Sequence, residues 1–327
     1  MGLSDAGFDV VGAVELDPLA AETYRINHAD THLWECDIRD ITGPEMLDAL
    51  SLRKGELDLL ASCPPCQGFS SVRTLNGGRE VDDVRNDLIE EVARLVHEIE
   101  PRAVMMENVP ALLNEERRDR FVDDLKALNY DVKDTVLDVR DYGVPQRRPR
   151  YVLLAVQGGK SRFAPRARRV KSVREAIGNL PPAGSSGDPL HDHGENRNPN
   201  VVERIALTPP DGGSRTDLPD SWQLACHRRC EGFFDIYGRM SWDDVAPTIT
   251  GGCVNPSKGR FLHPVENRSI TLREAAVLQG FPADYQFSMK RGKHAAAAMV
   301  GNALPPPFIE RHARAIARSL GKNSQTS

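Results

Sequence analysis

Four residues able to do chemistry stand where an apolar run gives way to polar sequence. Glu15 follows the run 10–14, Glu107 follows 103–106, and Cys66 follows 57–61 by way of Ser62-Cys63-Pro64-Pro65; Asp37 precedes Ile38, where another run should end. A cysteine thiolate is a soft nucleophile and a metal ligand. Carboxylates hold hydroxyl groups, or carry protons when burial tunes them. If the runs are strands of an open α/β sheet, all four groups lie at the edge where such sheets bind ligands. Strand ends border turns, which are polar anyway, so one such residue says little. Four together, with a cysteine behind two prolines, outline a site. Other chemistry stays open at this point: Cys63/Cys66 and Cys226/Cys230 could be halves of a zinc site, or the first a redox pair.

The elements that must position these residues follow from periodicity. Residues 10–14, 57–61, 103–106, 132–139 and 151–156 read as strands, and 19–27, 88–99 and 115–128 as helices. In 88–99 the apolar residues Leu88, Ile89, Val92, Leu95, Val96 and Ile99 fall at a helical period closed by Pro101. Strands alternating with helices predict a parallel sheet covered on both faces. Residues 157–265 are rich in Gly, Pro, Asp, Asn and Arg and predict a second, irregular domain, because Trp222, Phe233, Phe234, Tyr237 and Trp242 need burial. Helix returns over 272–279 and 307–320.

Charge divides the chain in the same way. Residues 1–139 hold 14 Lys+Arg against 30 Asp+Glu, whereas 140–327 hold 28 against 17, so only the second part is suited to a polyanion. Six cysteines in 327 residues do not suggest a disulfide framework. No apolar run reaches the roughly 18–20 residues of a membrane span, and the N-terminus has no export signal, so a cytoplasmic, nucleoid-associated protein is expected.

Five segments, in order, resemble the cytosine-C5 DNA methyltransferase family of the stand-alone restriction–modification type. They are Pro64-Pro65-Cys66-Gln67-Gly68-Phe69-Ser70, Glu107-Asn108-Val109, Gln146-Arg147-Arg148-Pro149-Arg150, Arg273-Glu274-Ala275 through Leu278-Gln279-Gly280-Phe281-Pro282, and Gly301-Asn302-Ala303-Leu304-Pro305-Pro306. The resemblance implies a Rossmann-like α/β methyltransferase sheet with a smaller target-recognition domain. The expected bounds are a catalytic domain at 1–157, a recognition domain at 158–290 and a C-terminal segment returning at 291–327. It further implies methyl transfer from S-adenosyl-L-methionine to C5 of a flipped-out cytosine in double-stranded DNA.

By the same resemblance Cys66 attacks C6, and Glu107 binds and protonates N3, for which a raised pKa is expected. Arg150 holds O2, while Gln146 and Arg148 support the catalytic loop. Glu15 meets the cofactor ribose, Asp37 the adenine amino group, Pro65 and Leu88 the ring system, and Asn302 the methionine end. Residues 68–78 are polar and bracketed by glycines, as a closing loop would be. Gln67, Ser70 and Arg73 are then placed at the DNA, with Arg228, Arg229 and Arg239 as base or phosphate contacts. Arg162, Arg166, Arg168, Arg169 and Lys171 form a basic cluster suited to phosphates. A monomer is expected, with a cognate restriction endonuclease encoded nearby and no metal.

One family feature has no counterpart. Members open with a strand and a Phe-x-Gly-x-Gly-Gly loop, whereas residues 1–8 resemble the helix that follows it. The first strand of the sheet is therefore expected to be missing, through a misplaced start, a fragment or a degenerate copy. Two rival functions remain beside the main one: a transfer-RNA cytosine-C5 methyltransferase, and an inactive copy that still binds DNA.

Overall fold

A computed structural model describes residues 1–65, 88–224 and 234–321. Two compact units divide the chain: Met1–Tyr142, Pro149–Arg166 and Pro306–Ser327 form the first, Gly143–Arg148 and Ala167–Pro305 the second. These bounds differ from the expected breaks after 157 and 290, for identifiable reasons. Residues 158–166 stay with the first unit because Ser161 N donates to the Asp131 carboxylate at 2.7 Å and Ser319 Oγ donates to Lys160 O at 2.8 Å. Residues 291–305 stay with the second because the buried Gln279 amide donates to Val300 O at 3.0 Å and to Ala303 O at 2.6 Å.

In the first unit, strands β1 (Gly12–Val14) and β2 (His32–Trp34) form a parallel pair. A separate four-stranded sheet has the order β3-β4-β6-β5, with β3 at Leu60–Ser62, β4 at Ala103–Asn108, β5 at Tyr130–Asp138 and β6 at Pro149–Gln157. β3 and β4 are parallel, but β6 runs antiparallel to both β4 and β5. The all-parallel expectation is thus corrected to a mixed sheet. Between β5 and β6 the sequence has only a 3-10 turn, Val139–Tyr142, and six further residues. That is too short for the helical crossover a parallel return requires.

The inner strands are apolar without alternation because both faces are covered. Ala103 to Met106 and Tyr151 to Val156 are all buried. Helix α1 (Gly2–Asp5) precedes β1, α2 (Pro18–Asn27) follows it, and α3 (Gly43–Ala49) follows β2. Helix α4 (Leu88–Ile99) buries Ile89, Val92, Leu95, Val96 and Ile99, the stripe its sequence period predicts. Helix α5 (Glu116–Ala127) adds Phe121, Val122 and Leu125 to the core over β4 and β6. A second cluster, Ile41, Met46, Leu47, Leu95 and Ile99, receives Val14, Trp34 and Leu60, one residue from each of β1, β2 and β3. Truncating such a buried leucine to alanine costs about 2–5 kcal/mol.

The second unit contains α6 (Val173–Ile177), α7 (Pro199–Leu207), α8 (Leu272–Leu278) and α9 (Gly292–Asn302), joined by irregular chain. Its centre is a cation. Arg239 is 1% exposed and donates to Thr208 O and Ile205 O, both at 2.8 Å, to His263 O at 3.0 Å and to Asn267 Oδ1 at 2.6 Å. Burial lowers its pKa, and carbonyl dipoles take the place of water around it. A guanidinium spent on backbone carbonyls cannot read DNA, so the expectation for Arg239 is corrected to a structural one. Of the aromatic residues expected inside, Tyr237 is buried and Trp222 and Trp242 are half-buried. Phe234 is 57% exposed, with the Arg215 guanidinium over its ring, 5.4 Å from the centroid. Phe233 lies outside the described residues. Helix α10 (Pro306–Ser319) belongs to the first unit and packs on α1, where a Cβ at Gly2 would come within 2.5 Å of Pro306 O. Among the described residues no helix is long and apolar enough to cross a membrane.

Candidate active site

The antiparallel register of β4 and β6 brings two functional groups together. Asn108 pairs with Tyr151 and Glu107 with Val152, so the end of β4 lies beside the start of β6, where Arg150 stands. Arg150 Nε lies 2.7 Å from Glu107 Oε1, with the two side chains 16% and 12% exposed. Burial lowers the Arg150 pKa, while the Glu107 carboxylate opposes that shift. A largely dry ion pair at a strand end is a place where an arriving neutral, polar ligand can find both a donor and an acceptor.

Asn108 ties this pair to the segment leading into Cys66. Its buried amide donates from Nδ2 to Pro64 O at 3.0 Å and accepts at Oδ1 from Val109 N at 2.8 Å. The Pro64-Pro65 step is thereby held against the end of β4, with Pro65 exposed. Cys63 is exposed, and its charge when ionised acts on Arg150. Asn108 is the positioning residue that sequence reasoning left out of the site. The available signal was an amide at the inner end of an otherwise apolar strand, where burial demands partners.

Glu15 and Asp37 follow the parallel strands β1 and β2 and so share an edge of that sheet. Glu15 N donates to Trp34 O at 3.0 Å, and Glu15 Oε1 accepts from Asp17 N at 2.9 Å. Asp17 in turn caps α2, accepting from Leu19 N and Ala20 N. Asp37 stands three residues past β2 and caps the 3-10 turn Ile38–Asp40. Arg39 donates to its carboxylate from N at 3.0 Å and Nε at 2.9 Å, and these bonds hold the Asp37 pKa down at about 2. A carboxylate offers about four acceptor sites, so both residues keep capacity for a further donor. Leu88 opens α4 half-buried, and Ser62 Oγ, at the end of β3, is buried without a hydrogen-bond partner among the described residues. Acceptors for hydroxyl and amino groups, an apolar side chain and an orphaned hydroxyl fit a ligand with a ribose and a purine.

In the second unit Gln146 and Arg148 are both buried. Gln146 Oε1 accepts from Ile249 N at 2.8 Å, and its Nε2 donates to Leu278 O at 3.3 Å and to Gln279 Oε1. Arg148 donates to Ile249 O and Gly301 O, each at 2.8 Å. These bonds hold the two side chains within the second unit, while the catalytic loop they are expected to support lies outside the described residues. Gln279, which sequence reasoning placed only within a motif, completes this network by reaching Val300 O and Ala303 O. Asn302 is exposed at the end of α9. Cys66, Gln67, Ser70, Arg73, Arg228 and Arg229, like Cys226 and Cys230, lie outside the described residues.

A family model described as C-5 cytosine-specific DNA methylase matches residues 1–318. The Type II methylase M.HgiDII of Herpetosiphon aurantiacus is 35% identical, over 98% of this chain and 92% of its own length. The Type II methyltransferase M1.HphI of Haemophilus parahaemolyticus is 32% identical, over 97% and 82%. The crystal structure of a prophage-encoded protein from E. coli has a TM-score of 0.71, covering 98% of this chain and 95% of that one at 24% identity.

Proposed function

We propose that this chain, which belongs to the C-5 cytosine-specific DNA methylase family, methylates C5 of a flipped-out cytosine in a specific duplex DNA site. The observation that carries this reading is the Glu107–Arg150 pair, joined through the Asn108–Pro64 hydrogen bond to the segment that runs into Cys66.

Cytosine C5 is a poor nucleophile until a group adds at C6. The Cys66 thiolate makes that bond. Glu107 takes up a proton from solvent as its ion pair with Arg150 opens; electron density displaced toward N3 then receives that proton from Glu107, and O2 meets the Arg150 guanidinium. To do this Glu107 gives up its ion pair with Arg150, and the base takes the place of each partner for the other. S-adenosyl-L-methionine, when bound, supplies the electrophilic methyl group; Glu15, Asp37, Pro65 and Leu88 are the first-unit residues that would hold it. Loss of the C5 proton restores the C5–C6 double bond and expels Cys66. The relatives bear Type II names, and the same reading gives this chain a restriction endonuclease as its cellular counterpart and a monomer as its working form.

The test is transfer of labelled methyl groups from S-adenosyl-L-methionine to unmethylated genomic DNA, with Cys66→Ala as control. Formation of 5-methylcytosine that vanishes in the variant is expected. Transfer to RNA but not to DNA, or transfer that survives Cys66→Ala, would overturn the assignment.

A further inference from the structure

The first unit is acid-rich except where the chain returns to it. Residues 1–139 hold 30 Asp+Glu against 14 Lys+Arg, yet 149–166 contain Arg150, Lys160, Arg162 and Arg166 and no acid. Helix α10 adds Arg311, Arg314 and Arg318 against the single acid Glu310. These two returning segments lie side by side. A Cβ at Gly159 would come within 2.9 Å of Ser319 O, Ser319 Oγ donates to Lys160 O at 2.8 Å, and the Phe163 and His312 rings are 6.1 Å apart. Residues 159–163 therefore run antiparallel along α10, from Ser319 back to His312.

Arg311 and Arg318 each precede a contact residue of the helix. They are seven positions apart, so they fall on one line of α10, about 10 Å from each other along its axis. Arg162 flanks that line from the neighbouring segment. Arg162 and Arg318 are exposed and Arg311 is half-exposed. The acids nearby are already engaged: Asp131 by Lys160, Asp141 by Arg166 and Glu310 by Arg314. Arg162, Arg311 and Arg318 have no acidic partner among the described residues. The strip begins at the far end of β6, since Gln157 lies about 23 Å along that strand from Arg150.

We infer that Arg162, Arg311 and Arg318 form a phosphate-binding surface for duplex DNA, separate from the Glu107–Arg150 site and indifferent to base sequence. Guanidinium groups spaced along a helix and the segment packed on it, free of competing carboxylates, suit a phosphate backbone. Such a surface adds affinity through counterion release without adding specificity. It goes beyond the methylation reading and does not need that reading to hold.

The test is the triple variant Arg162→Gln/Arg311→Gln/Arg318→Gln in the full chain, titrated with a random-sequence duplex of about 200 base pairs across a range of salt. Each lost phosphate contact lowers the slope of log affinity against log salt by about 0.9, so a fall of about 2 to 3 is expected. Methyl transfer to saturating genomic DNA is read in parallel and should be unchanged. An unaltered slope, a slope altered only with single-stranded RNA, or a loss of methyl transfer at saturating DNA would each overturn the proposal. Failure of the methylation reading would appear separately, as absent transfer by the wild-type chain with its salt slope intact.

Discussion

His312 should make the first unit acid-labile in a calculable way. The side chain is fully buried on α10, with ring centroids 4.4 Å from Phe308 and 4.7 Å from Tyr142. Its Nδ1 lies 3.0 Å from Phe308 O, and its Nε2 is buried with no hydrogen-bond partner among the described residues. Nδ1 thus carries the hydrogen, and a proton arriving at Nε2 would create an unsolvated imidazolium. Burial, assisted by the neighbouring Arg311 charge, pushes the pKa from 6.5 down to about 4. Above pH 6.5 neither the folded nor the unfolded chain binds this proton, and stability is full. Between 6.5 and 4 only the unfolded chain binds it, so stability falls as pH falls, and below 4 the loss is complete. A gap of about 2.5 pKa units is about 3 kcal/mol. Burial of other histidines adds its own acid slope, so the informative quantity is the difference between the wild type and His312→Phe, which keeps the aromatic contacts and removes the titration. In urea unfolding from pH 7.5 to pH 4 the wild type should lose about 3 kcal/mol relative to His312→Phe. Curves that stay parallel to within about 0.5 kcal/mol would refute the assignment of an unprotonated, buried His312.

Three further outcomes follow from the two units. Glu107→Gln removes both the anion facing Arg150 and the proton for N3; single-turnover methyl transfer should fall about 100- to 10,000-fold with cofactor affinity unchanged in calorimetry. A matching loss of cofactor affinity would place Glu107 in the cofactor pocket instead. Asn108→Ala should cost about 1–3 kcal/mol and slow covalent capture of a 5-fluorocytosine duplex by Cys66, because Pro64 O loses its donor; normal capture would free Asn108 from the positioning role. Arg239→Met leaves several buried carbonyls without donors and should cost at least about 3 kcal/mol in thermal or urea unfolding. Weakened DNA affinity at unchanged stability would restore the DNA-reading role that the burial of Arg239 argues against.

Much of the candidate site was legible because the inner strands advertise their ends. The unbroken apolar run of β4 stops at Glu107, and the apolar stripe of α4 located a helix within a residue or two of its bounds. What escaped the sequence depended on partners far along the chain. Arg239 looks like any surface arginine until the carbonyls of residues 205, 208 and 263 close around it. The reversal of β6 is set by a connection too short for a helical crossover, a feature of chain length rather than of apolar periodicity. Helix α9 was missed because its Ala-rich sequence has no apolar stripe to count, although Gln279 and Arg148 fasten its end from distant positions. Asp37 was placed at a strand end, but its position three residues beyond β2 makes it the cap of a turn.

The separation of β1–β2 from the four-stranded sheet has a dynamic consequence. Among the described residues no ladder joins the two sheets; β1 and β2 share only a three-residue ladder and are fastened by Val14 and Trp34 on the α3–α4 layer. A two-stranded pair of this length is marginal by itself, so its amides report side-chain packing rather than the cooperativity of a large sheet. Amide hydrogens of residues 12–14 and 32–34 should therefore exchange with solvent well ahead of those in β4 and β6, as a separately opening unit. A ligand bridging Glu15 and Asp37 would close that gap in protection by its own binding free energy, which makes the exchange rate of this small sheet a gauge of occupancy at the site.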